Sequence, residues 1–288
     1  MNNYTVFADS GCDLAPDMLN QLNVKCVLLT FKFDDSDKEY TSLDMGTKEF
    51  YSQLRSGRLA KTSAVNTDTF EKVFKEELQK GNDILYIAFS SGLSTTYHMA
   101  KLAAEELKSE FPDRKIIIVD SLCASAGHGL LVYLAVQEVK KGATLEEIEK
   151  FLIENRLHIC HWFTVDDLNY LKKGGRVSAS VALVGGILGI KPVLHVDDEG
   201  HLINVSKARG KKATLKALAQ KYGELALDKQ NGTVFISHGD AVDDALELEK
   251  ILKEEYKAQV NLITDIGPVI GAHSGPGTLA LFFLGKNR

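Results

Sequence analysis

Three short runs of consecutive apolar residues, Tyr4–Ala8, Ile84–Phe89 and Ile116–Val119, each stop at a small polar turn: Asp9-Ser10-Gly11, Ser90-Ser91-Gly92 and Asp120-Ser121. A strand that is apolar at every position has both faces covered, the condition of a strand inside a parallel sheet. Between the runs the apolar spacing becomes helical. Phe70, Val73, Phe74 and Leu78 share one face of a helix that Gly81 closes, and Tyr97, Ala100, Ala104 and Leu107 share another. Asp68 with Glu71, and Thr144 with Glu147, have capping-box spacing. This alternation predicts a Rossmann-like parallel α/β sheet. All three polar turns then fall on the carboxyl edge, where open α/β sheets bind ligands. Val24–Phe33 reads as a further strand of this half.

The second half has another rhythm. Leu157, Ile159, His161 and Phe163 alternate as in a half-exposed strand. Lys191–Val196 and His201–Val205 flank Asp197-Asp198-Glu199-Gly200, a hairpin signal. Thr233–His238 and Gln259–Ile263 are strands around a helix at Asp243–Lys253. The expectation is two α/β domains: residues 1–160 with a parallel sheet, and residues 161–288 with a mixed sheet. The last segment, from Gly267, has the option of returning to the first domain.

Composition excludes several classes of function. The 288 residues carry a net charge of −5, without the basic footprint of a nucleic-acid binder. Cys12, Cys26, Cys123 and Cys160 have no C-x-x-C spacing, so no metal site is expected. The longest apolar run, Val181–Ile190, is about half of the roughly 20 residues a membrane-spanning helix needs. The opening MNNYTVFADS lacks the features of a secretory leader, and a cytoplasmic location is expected. Walker A, H-E-x-x-H and G-x-S-x-G patterns are missing. Gly127-His128-Gly129 matches half of a dinucleotide fingerprint but lacks the third glycine.

Chemistry concentrates in a few segments. Ser90–Tyr97 (SSGLSTTY) gathers hydroxyls at a strand end where a helix begins, a place that suits an anion and equally suits ordinary caps. Thr62-Ser63 is a hydroxyl pair in a loop before a helix. Arg176 follows the Gly-Gly break of LKKGGRVS and is suited to a carboxylate or phosphate, or to an exposed helix end. Val184–Pro192 (VGGILGIKP) is glycine-rich and apolar, fit for a slim ligand or for close packing. His238 in SHGD and His273 in GAHSGPG follow strands, in glycine-rich loops. Lys207, Arg209, Lys211 and Lys212 form the one basic cluster.

Taken in order, Asp9-Ser10 with Asp13-Leu14, Thr62-Ser63, SSGLS, Asp120-Ser121, LKKGGRVS, LGIKPVL, HGD and IGPVIGAHSGPG resemble the DegV family along the whole chain. The resemblance implies two α/β domains with a lipid held between them. It implies a carrier with no cofactor, not a free-standing enzyme. The carrier binds a long-chain fatty acid and presents its carboxylate to an ATP-binding fatty acid kinase partner that makes the acyl phosphate for phospholipid synthesis. By the same resemblance Thr62 and Ser94 hold the carboxylate, with Ser63, Ser91, Gly92 and Thr95 beside them and His273 near the head group. Arg209 is implied in partner engagement, and Arg176 is a second candidate there. Two departures stand out: Ala64-Val65-Asn66 replaces a Gln-Pro-Ser type of loop, and Thr95 replaces a glycine. Two rivals stay open. One is an autonomous hydrolase using Ser94 or Ser274 with His273 or His238 and Asp240 or Asp265. The other is a lipid store or sensor without a kinase.

Overall fold

The computed structural model describes residues 4–177 and 189–288. Most of the Val184–Pro192 run lies outside the described residues, as do Ser178 of LKKGGRVS and Leu188 of LGIKPVL.

The first sheet is wholly parallel. It contains β1 (Tyr4–Asp9), β2 (Val24–Val27), β5 (Asp83–Ala88) and β6 (Ile116–Asp120), in the order β2-β1-β5-β6. Its strands are apolar throughout because helices cover both faces. Phe7, Ile84, Tyr86 and Ala88 point to α3 (Thr67–Leu78) and α4 (Thr96–Glu110). Val6, Ala8, Leu85 and Ile87 point to α5 (Ser125–Lys140) and α6 (Leu145–Asn155), with α1 (Pro16–Gln21) at the edge.

Val24–Phe33 is not one strand. β2 stops at Val27, and Thr30–Phe33 is a separate strand, β3. The break has a local cause: the Leu29 N–H donates to the Ser10 hydroxyl at 3.0 Å instead of to a ladder carbonyl. β3 then pairs antiparallel with β4 (Ala60–Ser63) and, with α2 (Thr47–Arg55), builds a small aromatic core around Phe31, Phe33, Phe50 and Tyr51. Thr62-Ser63 therefore lies on a strand and not in a loop. The α3 cap also differs from expectation. Asn66, not Asp68, is the N-cap, and its side chain accepts from Thr69 N at 2.9 Å. The Thr144–Glu147 capping box is present at α6.

The second sheet has six strands. They are β7 (Ile159–Thr164), β8 (Ile190–Val196), β9 (Leu202–Arg209), β10 (Val234–His238), β11 (Val260–Asp265) and β12 (Leu279–Leu284). Their order is β11-β10-β12-β7-β8-β9, with β10–β11 parallel and the other pairs antiparallel. The hairpin at Asp197–Gly200 joins β8 and β9. Strand β7 is buried at every residue rather than half exposed, because it is central and covered twice. One face packs on α8 (Lys211–Leu225) and α9 (Val242–Tyr256) through Trp162, Ile236, Leu281, Leu218 and Leu248. The other face packs on α5.

Helix α5 is therefore sandwiched between the two sheets, in one apolar core with both. A helix buried all round reads as apolar all round, as SAGHGLLVYLAV does. Its glycines allow the approach. A Cβ at Gly127 would lie 2.2 Å from His161 Nε2, and one at Gly129 would lie 2.6 Å from the Cys12 carbonyl. The Gly-His-Gly motif is thus explained by packing, and among the described residues the His128 ring makes one hydrogen bond, Nε2–H donating to the Ile87 carbonyl at 2.9 Å. After β11 the chain forms α10 (Pro268–Ser274), whose Ala272 packs into the aromatic core of β3, β4 and α2. β12 then inserts between β10 and β7.

Candidate functional site

A cavity lined largely by apolar side chains opens between the two sheets, beside the start of α5, with a volume of about 440 Å³. That is within the roughly 300–1,000 Å³ of ordinary ligand clefts. Its floor follows from strand alternation. Residues paired across antiparallel strands point to one face, and His161 pairs with Phe282, Phe163 with Ala280, and Val196 with Leu202. All six line the cavity. The opposite walls come from Ile270 and Val269 of α10, Leu93 of the SSGLS loop, Leu29, and Ala124 with Ser125. The interior is predominantly hydrocarbon.

Polar groups gather where β4, α10 and the SSGLS loop meet. Thr62 Oγ1 and His273 Nε2 are 2.7 Å apart. His273 Nδ1 is buried without a hydrogen-bond partner among the described residues. A buried N–H without an acceptor costs more than a buried lone pair. We therefore assign the His273 proton to Nε2, donating to Thr62. The Thr62 hydroxyl proton is then left for a ligand. Burial, and secondarily the charge of Arg176, lower the His273 pKa to about 4, so the ring is neutral at pH 7. His273 stands in α10, not in a glycine-rich loop: the Pro268 start and the Gly275 end confine that helix to seven residues.

Ser94 Oγ lines the same cavity, lies 2.9 Å from Thr96 Oγ1 and accepts from Thr96 N at 3.2 Å. The loop is fastened across the domains: the Ser90 hydroxyl donates to the Gly200 carbonyl at 3.0 Å. A Cβ at Gly92 would lie 2.8 Å from the Glu199 carbonyl, so Gly92 serves the docking of the β8–β9 turn and does not line the cavity. Ser91 and Thr95 line it; Ser63, exposed on the opposite side of β4, does not.

Arg176 comes from the segment after α7 (Leu168–Lys173). It is half buried and lines the cavity. Its Nε donates to the Leu93 carbonyl at 3.1 Å, and Nη1 donates to the Gly174 carbonyl. No carboxylate of the described residues forms an ion pair with it, and burial alone lowers its pKa. This is a cation in want of an anion beside an apolar cavity. Gly174 is kept a glycine by His273, since a Cβ there would fall 2.2 Å from His273 Nδ1.

The remaining candidates are elsewhere. Arg209 ends β9 and is exposed, paired with Ile190 at a distance of six residues along β8 from Val196. At about 3.4 Å per residue that is roughly 20 Å from the cavity floor. His238 lines a separate groove with Asp240 and Asp265. Among the described residues no serine hydroxyl is hydrogen-bonded to a histidine, so the serine–histidine contact that the hydrolase rival needs is not made. His161, which the sequence reading did not select, has both ring nitrogens occupied, one by the Ile159 carbonyl and one by Ala124 N–H. It is a wall and not a base. Its alternation with Phe163 was the available signal. Among the described residues there is also no group of His, Cys, Asp and Glu placed to hold a metal ion.

The model of the DegV family, described as an uncharacterised protein family, matches residues 3–286. The chain belongs to the DegV family. A DegV domain-containing protein of Clostridium perfringens is 42% identical, over 100% of this chain and 99% of that one. Among solved structures, a DegV lipid binding protein of Thermotoga maritima is 29% identical with a TM-score of 0.87, covering 100% of both chains. A DegV family protein of Thermus thermophilus, described by its fatty acid binding, is 28% identical with a TM-score of 0.88, covering 98% of this chain and 99% of that one. The two-domain α/β architecture is thus the DegV fold.

Proposed function

We propose that this protein carries one long-chain fatty acid in the cavity between its sheets, with the carboxylate at Thr62 and Ser94 and the tail over the His161–Phe282 floor. The observation that carries the reading is the juxtaposition of an apolar cavity with a Thr62 hydroxyl whose proton is uncommitted and, at the same end, an Arg176 that no carboxylate of the described residues pairs. The fatty-acid-binding DegV structures support it. Tail burial contributes on the order of 0.8 kcal/mol per methylene, so a sixteen-carbon chain gains about 10 kcal/mol gross. Hydrogen bonds to the charged head contribute about 1.5–3 kcal/mol each. The tail sets affinity and the polar end sets orientation.

The protein is a carrier and not the catalyst in this reading. A cytoplasmic kinase partner binds ATP, and a carboxylate oxygen attacks the γ-phosphorus while ADP departs, giving the acyl phosphate used for phospholipid synthesis. Exposed Lys207 and Arg209 are the basic surface offered to that partner. Palmitate titrations of Thr62→Val, Ser94→Ala and Arg176→Ala test the head-group assignment. Each is expected to bind more weakly, by about tenfold or more for a lost bond to a charged group. Three variants that bind like wild type would remove the head group from this end of the cavity.

A further inference from the structure

One carboxylate that this function leaves unused sits directly behind the cavity wall. Asp13 is 7% exposed and has φ of 49°. Aspartate is one of the few non-glycine residues that adopt this left-handed backbone readily, and here it caps the Ser10–Cys12 turn. Its two side-chain oxygens hold two different walls. Oδ1 accepts from the N–H of Gly267 at 2.9 Å, the N-cap of the helix that carries His273. Oδ2 accepts from the Ser125 hydroxyl at 2.5 Å. Ser125 opens α5, lines the cavity, and has a left-handed φ of its own, 53°. The contacts extend further: the Asp13 carbonyl accepts from the Thr264 hydroxyl at 3.2 Å, and Ser125 Oγ lies 2.9 Å from Ser237 Oγ on β10. One residue of the first domain thus fastens α5 and α10 to each other and to the second sheet.

We infer that Asp13 is a positioning residue for the fatty-acid site: a clasp that keeps the α10 wall closed against α5, and whose release lets the acyl chain leave. The inference rests on the fatty-acid reading above. The charged and titratable groups around the clasp are Asp9 from β1, Asp265 from the end of β11 with His238 at 3.5 Å from it, and Tyr51 from α2. Burial raises the Asp13 carboxyl to about 7, the Ser125 and Gly267 bonds oppose it, and Asp265 and Asp9 add to it. An opened clasp exposes the carboxyl, which then ionises near its ordinary value of about 3.9. Opening therefore releases a proton between those two values. It becomes easier as pH rises toward 7 and changes little above.

The test is the rate at which radiolabelled palmitate passes from the protein to phosphatidylcholine vesicles at pH 5, 6, 7 and 8. Wild type is expected to release faster as pH rises to 7. Asp13→Ala is expected to release roughly tenfold faster than wild type at pH 5, about the effect of one net hydrogen bond, and to lose the pH dependence. Asp13→Asn keeps an acceptor for Gly267 and offers an N–H to Ser125. It is expected to match wild type at pH 5 and to lose the pH dependence. If Asp13→Ala does not fold, Ser125→Ala cuts one arm of the clasp and should still speed release. Unchanged release in Asp13→Ala and Ser125→Ala, or a wild-type pH profile in Asp13→Asn, overturns the clasp alone. A wild-type protein that takes up no palmitate overturns the fatty-acid reading and the clasp with it.

Discussion

Thr62 and His273 lie 211 residues apart in the chain and meet through one hydrogen bond. Each was visible in the sequence as a polar residue in a suggestive setting. Their contact was not, because it depends on β4 and α10 packing together. Two predictions belong here. His273 has a folded pKa of about 4, below its unfolded value of about 6.5. Folding therefore favours the neutral ring. The His273 contribution to stability is complete above pH 6.5 and declines as pH falls toward 4. An NMR titration of its ring proton should show no charge change between pH 5 and 9; a midpoint near 6.5 would contradict the burial argument. Gly174→Ala puts a methyl where His273 Nδ1 now sits. Overpacking of this kind typically costs about 1–3 kcal/mol. Thermal unfolding should fall by several degrees and palmitate binding should weaken with it. An unchanged melting temperature would mean that the ring has room to move.

Strand elements were largely legible and their neighbours less so. Continuous apolar runs identified β1, β5 and β6 because both faces of that sheet are covered. The same logic failed at β7, whose alternation of His161 and Phe163 with other residues suggested a solvent face: Cys160 and Trp162 fill a second core on that side. Val24–Phe33 was misread as one strand because the break rests on the Ser10 side chain, a long-range contact. The cavity floor offers a direct element-scale test. Ala280 is the small residue in the middle of the Thr278, Ala280, Phe282 stripe that lines the cavity. Ala280→Phe fills that space without burying a polar group. Lipids extracted from this variant should be shorter or missing, with the fold retained by circular dichroism. Retention of the same long chain would place the tail elsewhere.

At the scale of the whole molecule, the ordered motifs along the chain pointed to a two-domain lipid carrier. The sandwiching of α5 was readable only in hindsight, from a helix apolar on every side. The docking of the SSGLS loop on the β8–β9 turn, through Gly92 and Gly200, joins residues about a hundred positions apart and left no local mark. Among the described residues no helix is long and apolar enough to cross a membrane. The proposed partner surface makes its own prediction. Arg209 is exposed and distant from the cavity, so Arg209→Glu should leave palmitate affinity and melting temperature unchanged while cutting acyl-phosphate formation in a reaction reconstituted with a cognate kinase. Full turnover would remove Arg209 from the interface.

The central claim is that the cavity holds one fatty acid, and native mass spectrometry of the purified protein, followed by denaturation and lipid extraction, tests it most directly. The account predicts one long-chain fatty acid per chain, retained in the native spectrum and released on unfolding. A homogeneous lipid-free protein that also fails to take up added palmitate would contradict it.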